Sequence, residues 1–492
     1  MLGLQITALL LLMIPSSVLS ENTHGTADRV PAAHHMAVCH EIASQLSSAS
    51  SAPYTGSARY EDDISHNFLS STRRSACSVE PGTVHDVGLI MKAVARTRTP
   101  FAGGGHAYNP EFSSTLGVHI SMTRFSKVAY NPEHKVVDVG SGLRWDHVYA
   151  ALEHYGVAVA GARASGVGVG GLSLGGGYSW LTNQYGLVVD NIVGYEVVLS
   201  NGTVVHATAS SHPDLFFGLK GGCNNFGVVT KFTMRAHPLG KVWGGNIFIS
   251  GRYAAQINSA IMRFVSQVDD PKAALLPTYG YREGQVLCSV MMFYAGSRQP
   301  PGIFNDFLSL PSISRNISTR SYLSLKQSIG HDALKEFRGI NTTPTFLNYT
   351  KRILDAIVNE TSYWGPHLSH KSELTLSYAI EPFLPSILSH GKETAWPPTR
   401  SQVYVPTSIY LTWTNPRYDD IMANAIRASA AHLTQVAMDE GQDLTNASPY
   451  GNYAIFVTPV DEIFGQNLAR MRRIKDNYDP QRVMDLAGGW KV

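Results

Sequence analysis

Two glycine-rich stretches, about fifty residues apart, constrain this chain more than any other feature of its sequence. The first reads Phe-Ala-Gly-Gly-Gly-His-Ala-Tyr-Asn-Pro over residues 101–110, and the second reads Gly-Ala-Arg-Ala-Ser-Gly-Val-Gly-Val-Gly-Gly-Leu-Ser-Leu-Gly-Gly-Gly-Tyr over residues 161–178. Glycine is needed where the backbone takes a positive φ or approaches another group closely. Consecutive backbone N–H groups without bulky side chains also form concave sites for anions. The two stretches therefore predict two loops that grip one large polar ligand.

The second stretch has a formal rival interpretation. Residues 166–171 match the Gly-x-Gly-x-x-Gly fingerprint of a Rossmann fold, and Asp190 lies at a suitable distance beyond it. That fold requires a helix directly after the glycines, whereas Leu-Ser-Leu-Gly-Gly-Gly is a poor helix sequence. We therefore predict no helix there and reject a Rossmann site. A third interpretation, in which the glycines only serve turns between strands, does not account well for so dense a run.

The motifs taken together resemble those of a known enzyme family. Gly-Gly-Gly-His106, the following Ser-Ser-Thr of 113–115 and the second glycine stretch are similar to the FAD-linked oxidoreductases of the vanillyl-alcohol oxidase and berberine-bridge-enzyme type. The resemblance is strongest over 78–240 and 447–486. It implies FAD as cofactor and an α+β fold, in which a PCMH-type FAD-binding domain of two α/β subdomains joins a substrate domain with an antiparallel sheet and covering helices.

The resemblance also assigns the cofactor contacts. In that family the histidine of the first loop commonly bonds to the 8α-methyl carbon of the flavin, so His106 is the expected point of covalent attachment. The alternative is a histidine that only hydrogen-bonds the flavin or a nearby carbonyl. The other implied cofactor-binding residues are Gly103, Gly104, Gly105, Ala107, Gly170, Gly171, Ser173, Gly175, Gly176, Gly177, Asn191, Val193, Asn452 and Tyr453.

The chain departs from part of the family at one position. Members with a second, cysteinyl flavin bond carry cysteine just before Gly-Val-Gly-Gly, where this chain has Ala164. There is no cysteine between Cys77 and Cys223, so the resemblance excludes a double attachment. Arg163, beside that position, either contacts the ligand or is an ordinary surface arginine.

Two residues are candidates for the catalytic base. Tyr450 opens a Tyr-Gly-Asn-Tyr element that resembles the family's motif beside the isoalloxazine, and it would act as a base only if cationic neighbours depressed its pKa. Otherwise it forms an aromatic wall of the substrate pocket. Glu381, in Ala-Ile-Glu-Pro, is a candidate base against the alternative of a structural carboxylate.

The function implied by the resemblance is that of an FAD-dependent oxidase. A hydride would leave a C–H bond of a small organic substrate, a protein base would take the accompanying proton, and oxygen would reoxidise the flavin. We expect a secondary metabolite as substrate, because residues 241–445 are rich in aromatic and poor in charged side chains. A carbohydrate oxidase of the same fold and a flavin-binding protein without redox turnover are the alternatives.

The remaining sequence indicates a secreted chain. An apolar run ending near Ser20 is typical of a signal peptide, and Cys39 and Cys77 flank one short segment and form the expected disulfide. Six Asn-x-Ser/Thr sites predict glycosylation at Asn201, Asn316, Asn341, Asn348, Asn359 and Asn446. The expected organisation is signal peptide 1–20, lead-in 21–77, FAD-binding domain 78–240, substrate domain 241–445 and a C-terminal return to the FAD domain over 446–492.

The net charge and the absence of metal-ligand motifs limit the classes of partner that we expect. A formal net charge of +2 gives no electrostatic case for nucleic acid or an anionic membrane. The 19 histidines are scattered and no Cys-x-x-Cys or His-Glu-x-x-His pattern occurs, so we expect no metal site. The expected partners are a small-molecule substrate and oxygen, with the mature chain a monomer free of the membrane.

Overall fold

The computed structural model of this chain describes residues 33–328 and 335–492, so the expected signal peptide and the first part of the lead-in lie outside the described residues. Helices and strands are mixed along the chain, which confirms the α+β class. The helices of the described residues are α1 Ala33–Gln45, α2 Ala58–Asp63, α3 Val84–Thr97, α4 Trp145–Glu153, α5 Val169–Leu174, α6 Thr182–Tyr185, α7 Pro213–Leu219, α8 Ala254–Gln267, α9 Asn305–Leu308, α10 Tyr322–Gln327, α11 Lys351–Ser369, α12 Asp419–Asp439, α13 Val460–Phe464 and α14 Leu468–Tyr478.

The strands are grouped into separate sheets along the chain. Those of the described residues are β1 Cys77–Val79, β2 Phe101–Ala102, β3 Val118–Ile120, β4 Val128–Asn131, β5 Val136–Gly140, β6 Val157–Ala158, β7 Ile192–Val198, β8 Val204–Thr208, β9 Val228–Arg235, β10 His237–Pro238, β11 Val242–Ser250, β12 Ala273–Arg282, β13 Gln285–Tyr294, β14 Ser314–Arg320, β15 Arg338–Thr342, β16 Thr345–Phe346, β17 Leu374–Ile380 and β18 Val405–Trp413.

A small parallel sheet, in the order β1-β3-β2, leads into the first glycine stretch. Helix α3 begins after Thr83, whose hydroxyl accepts the N–H of Asp86 at 3.1 Å and so satisfies one of the free donors of the first turn. One face of α3 is apolar at helical spacing and fully buried: Val87, Ile90, Met91 and Val94. Strand β2 follows this helix and ends where the first glycines begin.

An antiparallel sheet in the order β4-β5-β9-β7-β8 carries the segment after the second glycine stretch. Strands β7 and β8 form a hairpin, and its turn contains Asn201 and Gly202, with Gly202 at φ +82°. At the start of β7 the pairing with β9 passes from Ile192–Met234 directly to Gly194–Thr233. Val193 is therefore left out of the register, as the extra residue of a bulge.

The largest sheet of the described chain has the antiparallel order β14-β11-β13-β12-β17-β18-β15, with β16 paired to β18. Helices α8, α11 and α12 cover one face, where the hydroxyls of Tyr378 on β17 and Ser429 on α12 lie 2.8 Å apart. On the other face Phe293 of β13 stacks on Trp180, with ring centroids 5.8 Å apart. The sheet thus packs between a helical layer and the segment that follows the second glycine stretch.

The C-terminal segment packs back onto the glycine-containing half of the chain. The side chain of Asn225 donates to the backbone oxygen of Trp490 at 2.9 Å, and the Trp490 ring makes an edge contact with Phe112, with centroids 4.9 Å apart. Every strand of the largest sheet lies within 241–445. The division into domains nevertheless stays a prediction, because the described chain packs as one unit.

The structure joins Cys39 to Cys77 in a disulfide. Five of the six glycosylation sites are exposed. Asn341 is the exception, since it is 2% exposed on β15 and its Oδ1 accepts the hydroxyl of Ser408 at 3.1 Å. A glycan has no room there, so the prediction for Asn341 is wrong for this folded state. None of the described helices combines the length and apolar character needed to cross a membrane.

Candidate functional site

The first glycine stretch forms a loop with bare backbone on its outer side. Gly103 and Gly104 are exposed, and Gly104 takes φ +101°, a conformation that strongly favours glycine. A Cβ added at Gly104 would meet only the Cβ of Ser113, at 3.9 Å. His106 and Ala107 follow, both half-buried. The loop therefore offers open backbone and an imidazole on one short segment.

Residues of the lead-in segment hold this loop in place through hydrogen bonds and packing contacts. The N–H of Asn67 donates to the carbonyl of Gly105 at 2.7 Å. His66 lies beside Gly105, and its Nδ1 is 3.3 Å from the hydroxyl of Ser113. Burial lowers the pKa of His66 to about 4, so its imidazole is neutral at physiological pH.

The second glycine stretch contains helix α5, which corrects the prediction that no helix follows Gly168. The helix is only six residues long and includes Gly170 and Gly171. A Rossmann unit is nevertheless absent from this part of the described chain. Strand β6, which precedes the glycines, pairs only with β10 and in the antiparallel direction, whereas the Rossmann motif requires parallel strands.

Glycines of the second stretch divide into two groups. A Cβ at Gly168 or Gly171 would meet no atom within 4 Å, and at Gly170 only the carbonyl of Ser141, at 3.6 Å. By contrast, Cβ atoms at the last three glycines would lie 2.4–2.6 Å from side chains of other segments: Gly175 against Asn452, Gly176 against Trp396 and Gly177 against Val188. The first group faces open space, whereas the second is required for close packing.

This division separates the predicted cofactor-binding residues into buried and open ones. Gly175, Gly176 and Gly177 are buried, and Ser173 is 0% exposed. None of these four residues reaches the open side of the loop. Their contact with the cofactor stays a prediction, whereas Gly170 and Gly171 lie on the open side.

In the segment after Asp190, the side chain of Asn191 is engaged within the protein, and contacts of the backbone with a ligand stay a prediction. The side chain of Asn191 is 2% exposed and fully engaged, donating to the carbonyls of Tyr185 and Leu187 at 2.9 Å each, with its Oδ1 2.7 Å from Nε2 of His237. It is therefore not available to a ligand. Val193 is half-buried and unpaired in the bulge of β7, so its backbone is the better candidate for a ligand contact.

The C-terminal segment connects both glycine loops. The N–H of Gly177 donates to the hydroxyl of Tyr450 at 3.1 Å, and the amide nitrogen of Asn452 donates to that hydroxyl at 2.9 Å. A few residues later, the Nδ2 of Asn109 donates to the carbonyl of Ala454 at 2.9 Å. The structure thus brings the predicted Tyr-Gly-Asn-Tyr element between the two loops.

Tyr450 is not suited to be the base. It is 2% exposed, and burial raises its pKa well above the ordinary value of a tyrosine. A depressed pKa was the condition for a catalytic role, and the structure contradicts it. Its hydroxyl serves as the acceptor that holds Gly177 and Asn452.

A buried ion pair lies next to this element. Arg163 of the second stretch donates through Nη1 to Oε2 of Glu381 at 2.5 Å and through Nη2 to Oε1 at 2.7 Å. The hydroxyl of Tyr453 donates to Oε1 of Glu381 at 3.0 Å and accepts from Nη2 of Arg163 at 3.0 Å. We call Arg163, Glu381 and Tyr453 the polar triad.

Burial differs among the three residues of the polar triad. The side chain of Glu381 is 1% exposed and that of Arg163 10%, whereas Tyr453 is half-buried. Burial opposes the charged form of Arg163, but the carboxylate of Glu381 raises its pKa well above the ordinary value. Burial and the same carboxylate raise the pKa of Tyr453. At neutral pH the site therefore holds a guanidinium and a neutral phenol.

An aromatic group joins the first loop to the largest sheet. Tyr108, two residues after His106, stacks on Phe68 with centroids 5.0 Å apart and meets Tyr410 of β18 edge-on at 5.5 Å. Sequence spacing gave no sign of this contact or of the polar triad, because their members come from segments that are far apart in the sequence. An arginine beside a glycine loop and a glutamate before Pro382 were the available signals.

The arrangement fits FAD. Gly104, Gly168 and Gly171 present open backbone from both loops, as the diphosphate of a dinucleotide requires. Val193 lies outside the strand register in the bulge of β7, and His106 stands within the first loop. The polar triad supplies hydrogen-bonding groups beside the same tail segment.

Comparisons with known proteins agree with this fit. A family model described as FAD binding domain matches residues 75–208. An uncharacterized FAD-linked oxidoreductase of Arthroderma benhamiae is 38% identical over 257 residues, which is 51% of this chain and 51% of that relative, so this match spans about half of each. An FAD-dependent monooxygenase of Cochliobolus heterostrophus is 30% identical over 452 residues, 85% of each chain.

Among solved structures, 6-hydroxy-D-nicotine oxidase from Arthrobacter nicotinovorans has a similar fold. Its TM-score is 0.75 at 19% identity, and the superposition covers 90% of this chain and 98% of that one. At this level of identity the likeness concerns the fold alone.

Proposed function

The chain belongs to the FAD-linked oxidoreductases of the vanillyl-alcohol oxidase and berberine-bridge-enzyme type, and from this premise we propose that it oxidises a small organic molecule by hydride removal. The observation that carries the proposal is the polar triad, in which a neutral tyrosine hydroxyl is hydrogen-bonded to a buried carboxylate. Such a pair can accept a proton, which supports the proposal of an oxidation by hydride removal.

The path of the proton follows from burial. Because Glu381 is 1% exposed, it would not touch a substrate directly. Tyr453 is half-buried and would accept the substrate's hydroxyl or amine proton at Oη while its own proton passes to Oε1 of Glu381. The bound FAD would supply the hydride acceptor and would be regenerated by oxygen. After the transfer Tyr453 is again neutral and Glu381 carries the proton.

His106 would attach the cofactor through the flavin 8α carbon. It lies in the first loop, directly after open glycine backbone. Ala164 stands where a cysteine would be needed for a second bond, so a single attachment is proposed. A single bond through His106 would hold the cofactor in place during turnover.

We infer a secondary metabolite as the substrate class, supported by the half-buried rings of Tyr108 and Tyr410, which meet edge-on beside the first loop. Aromatic side chains supply large apolar surfaces that suit a planar ring. A carbohydrate oxidase is the alternative. Oxygen insertion is a second candidate function, because the relative that matches 85% of each chain is called a monooxygenase.

An anaerobic reduction experiment tests the proposal. The purified protein is mixed with a panel of phenols, benzylic alcohols, amines and oligosaccharides, and the flavin absorbance is followed before and after air is admitted. We expect bleaching by an aromatic alcohol or amine and recovery in air with one peroxide per product. Oxygen from isotopically labelled gas in the product would indicate a monooxygenase, bleaching by sugars alone a carbohydrate oxidase, and no bleaching a non-redox binding protein.

We also propose that the protein is secreted. The disulfide between Cys39 and Cys77 and the exposure of five glycosylation sites support an oxidising compartment. The protein collected from the medium of a eukaryotic host should therefore migrate faster after endoglycosidase treatment. Retention of an unglycosylated chain inside the cells would contradict this proposal.

A further inference from the structure

We propose that Arg163 is a positioning residue for the reaction, which holds the hydroxyl of Tyr453 in the orientation that proton transfer requires. The inference rests on the proposed function and deepens it. It concerns a residue that does not reach the substrate itself and acts through its neighbours in the polar triad.

The hydrogen bonds of the triad form a closed ring. Nη2 of Arg163 donates both to Oε1 of Glu381 at 2.7 Å and to Oη of Tyr453 at 3.0 Å. Tyr453 in turn donates to the same Oε1 at 3.0 Å. The phenol proton is therefore directed at the carboxylate, and one lone pair of Oη is taken by the guanidinium. A single acceptor direction remains for the proton of a substrate.

The guanidinium itself is held on several sides. Its central carbon lies 5.7 Å from the ring centroid of Trp180 and 5.7 Å from that of Phe383. The indole N–H of Trp180 also donates to the backbone oxygen of Arg163 at 3.3 Å. Contacts of a cation with two aromatic rings and a bidentate carboxylate leave the side chain little freedom to rotate.

Lysine is the substitution that separates charge from geometry. An ammonium keeps the positive charge opposite Glu381 but lacks the planar fork that reaches two carboxylate oxygens and a phenol together. In Arg163→Lys the hydroxyl of Tyr453 would lose its fixed orientation while the buried carboxylate stays paired. Misplacement of a reacting group by about 1 Å costs on the order of 100-fold in rate.

The experiment is a double-variant cycle of Arg163→Lys and Tyr453→Phe in the flavin-loaded protein. We expect Arg163→Lys to lower the rate constant of anaerobic flavin reduction about 10–100-fold, with an unchanged visible spectrum and flavin content and a similar KM. In the Tyr453→Phe background the same lysine should have little further effect, because the group it positions is gone. The unfolding midpoints of the two single variants should likewise not add in the double variant.

Arg338 provides the matched control. It is 11% exposed and forms a bidentate pair with Asp419, outside the candidate site. Arg338→Lys should therefore leave flavin reduction unchanged. Two results would overturn this inference but leave the proposed function standing. One is a wild-type rate of flavin reduction in Arg163→Lys, and the other is a loss of rate from the lysine that is equal with and without the Tyr453 hydroxyl. A wild-type protein that no substrate reduces would instead overturn the proposed function, and the inference with it.

Discussion

A Tyr453→Phe variant is expected to reduce its flavin about 10²–10⁴-fold more slowly than the wild type, the range typical of a lost proton-transfer group. Glu381 is 1% exposed, whereas Tyr453 is half-buried and its hydroxyl donates to that carboxylate. The phenyl ring keeps the volume and leaves the Arg163–Glu381 pair intact, so the protein should still fold and bind FAD. Rapid mixing with the best substrate in the absence of oxygen measures the rate.

Tyr450→Phe is the comparison for this prediction. The same atom is removed three residues away, but the Tyr450 hydroxyl only accepts hydrogen bonds from Gly177 and Asn452. We expect a much smaller loss of rate, accompanied by lower thermal stability from the unpaired amide of Gly177. The opposite ranking, with Tyr450→Phe inactive and Tyr453→Phe unaffected, would show that the proton path has been assigned to the wrong tyrosine.

A His106→Ala variant is expected to lose all covalently attached flavin. Acid precipitation of the wild type should leave yellow flavin in the pellet, whereas the variant should release it entirely into the supernatant. The open glycine backbone of both loops is unchanged in the variant, so FAD should still bind without a covalent bond, and the native variant should remain yellow.

His147→Ala serves as the control, because this histidine is exposed on helix α4. It should retain flavin in the pellet as the wild type does. Flavin that stays in the pellet of His106→Ala would mean attachment through another residue. Complete release from the wild type would mean that His106 makes no covalent bond, while binding of FAD itself would stand.

Local patterns in the sequence were reliable where one short segment determines the outcome. The dipeptide of Asn201 and Gly202 is typical of a hairpin turn, and the strands on either side of it form such a hairpin. The first glycine loop before His106 was also visible, because its open backbone requires glycine whatever the rest of the chain does. These features depend on neighbours in sequence.

Features that depend on distant packing were not predictable in this way. A glycine that faces open space, such as Gly171, and one that is pressed against Trp396, such as Gly176, look identical in sequence. The helix α5 forms despite its glycines because tertiary contacts outweigh helix propensity. Glu381 and Arg163 are 218 residues apart, and the burial of Asn341 is set by the neighbouring strand β18. Such facts follow only from the fold.

The central claim is that FAD lies along the open glycine backbone of the two loops, and the flavin content of a Gly171→Leu variant tests it most directly. Gly240→Leu is the matched control, since a Cβ there also meets nothing within 4 Å but lies outside both loops. We predict a full complement of flavin, measured as the ratio of visible to protein absorbance, in Gly240→Leu. In Gly171→Leu the isobutyl group would occupy the cofactor's space, and we predict little or no flavin. A folded Gly171→Leu protein with full flavin would contradict the account.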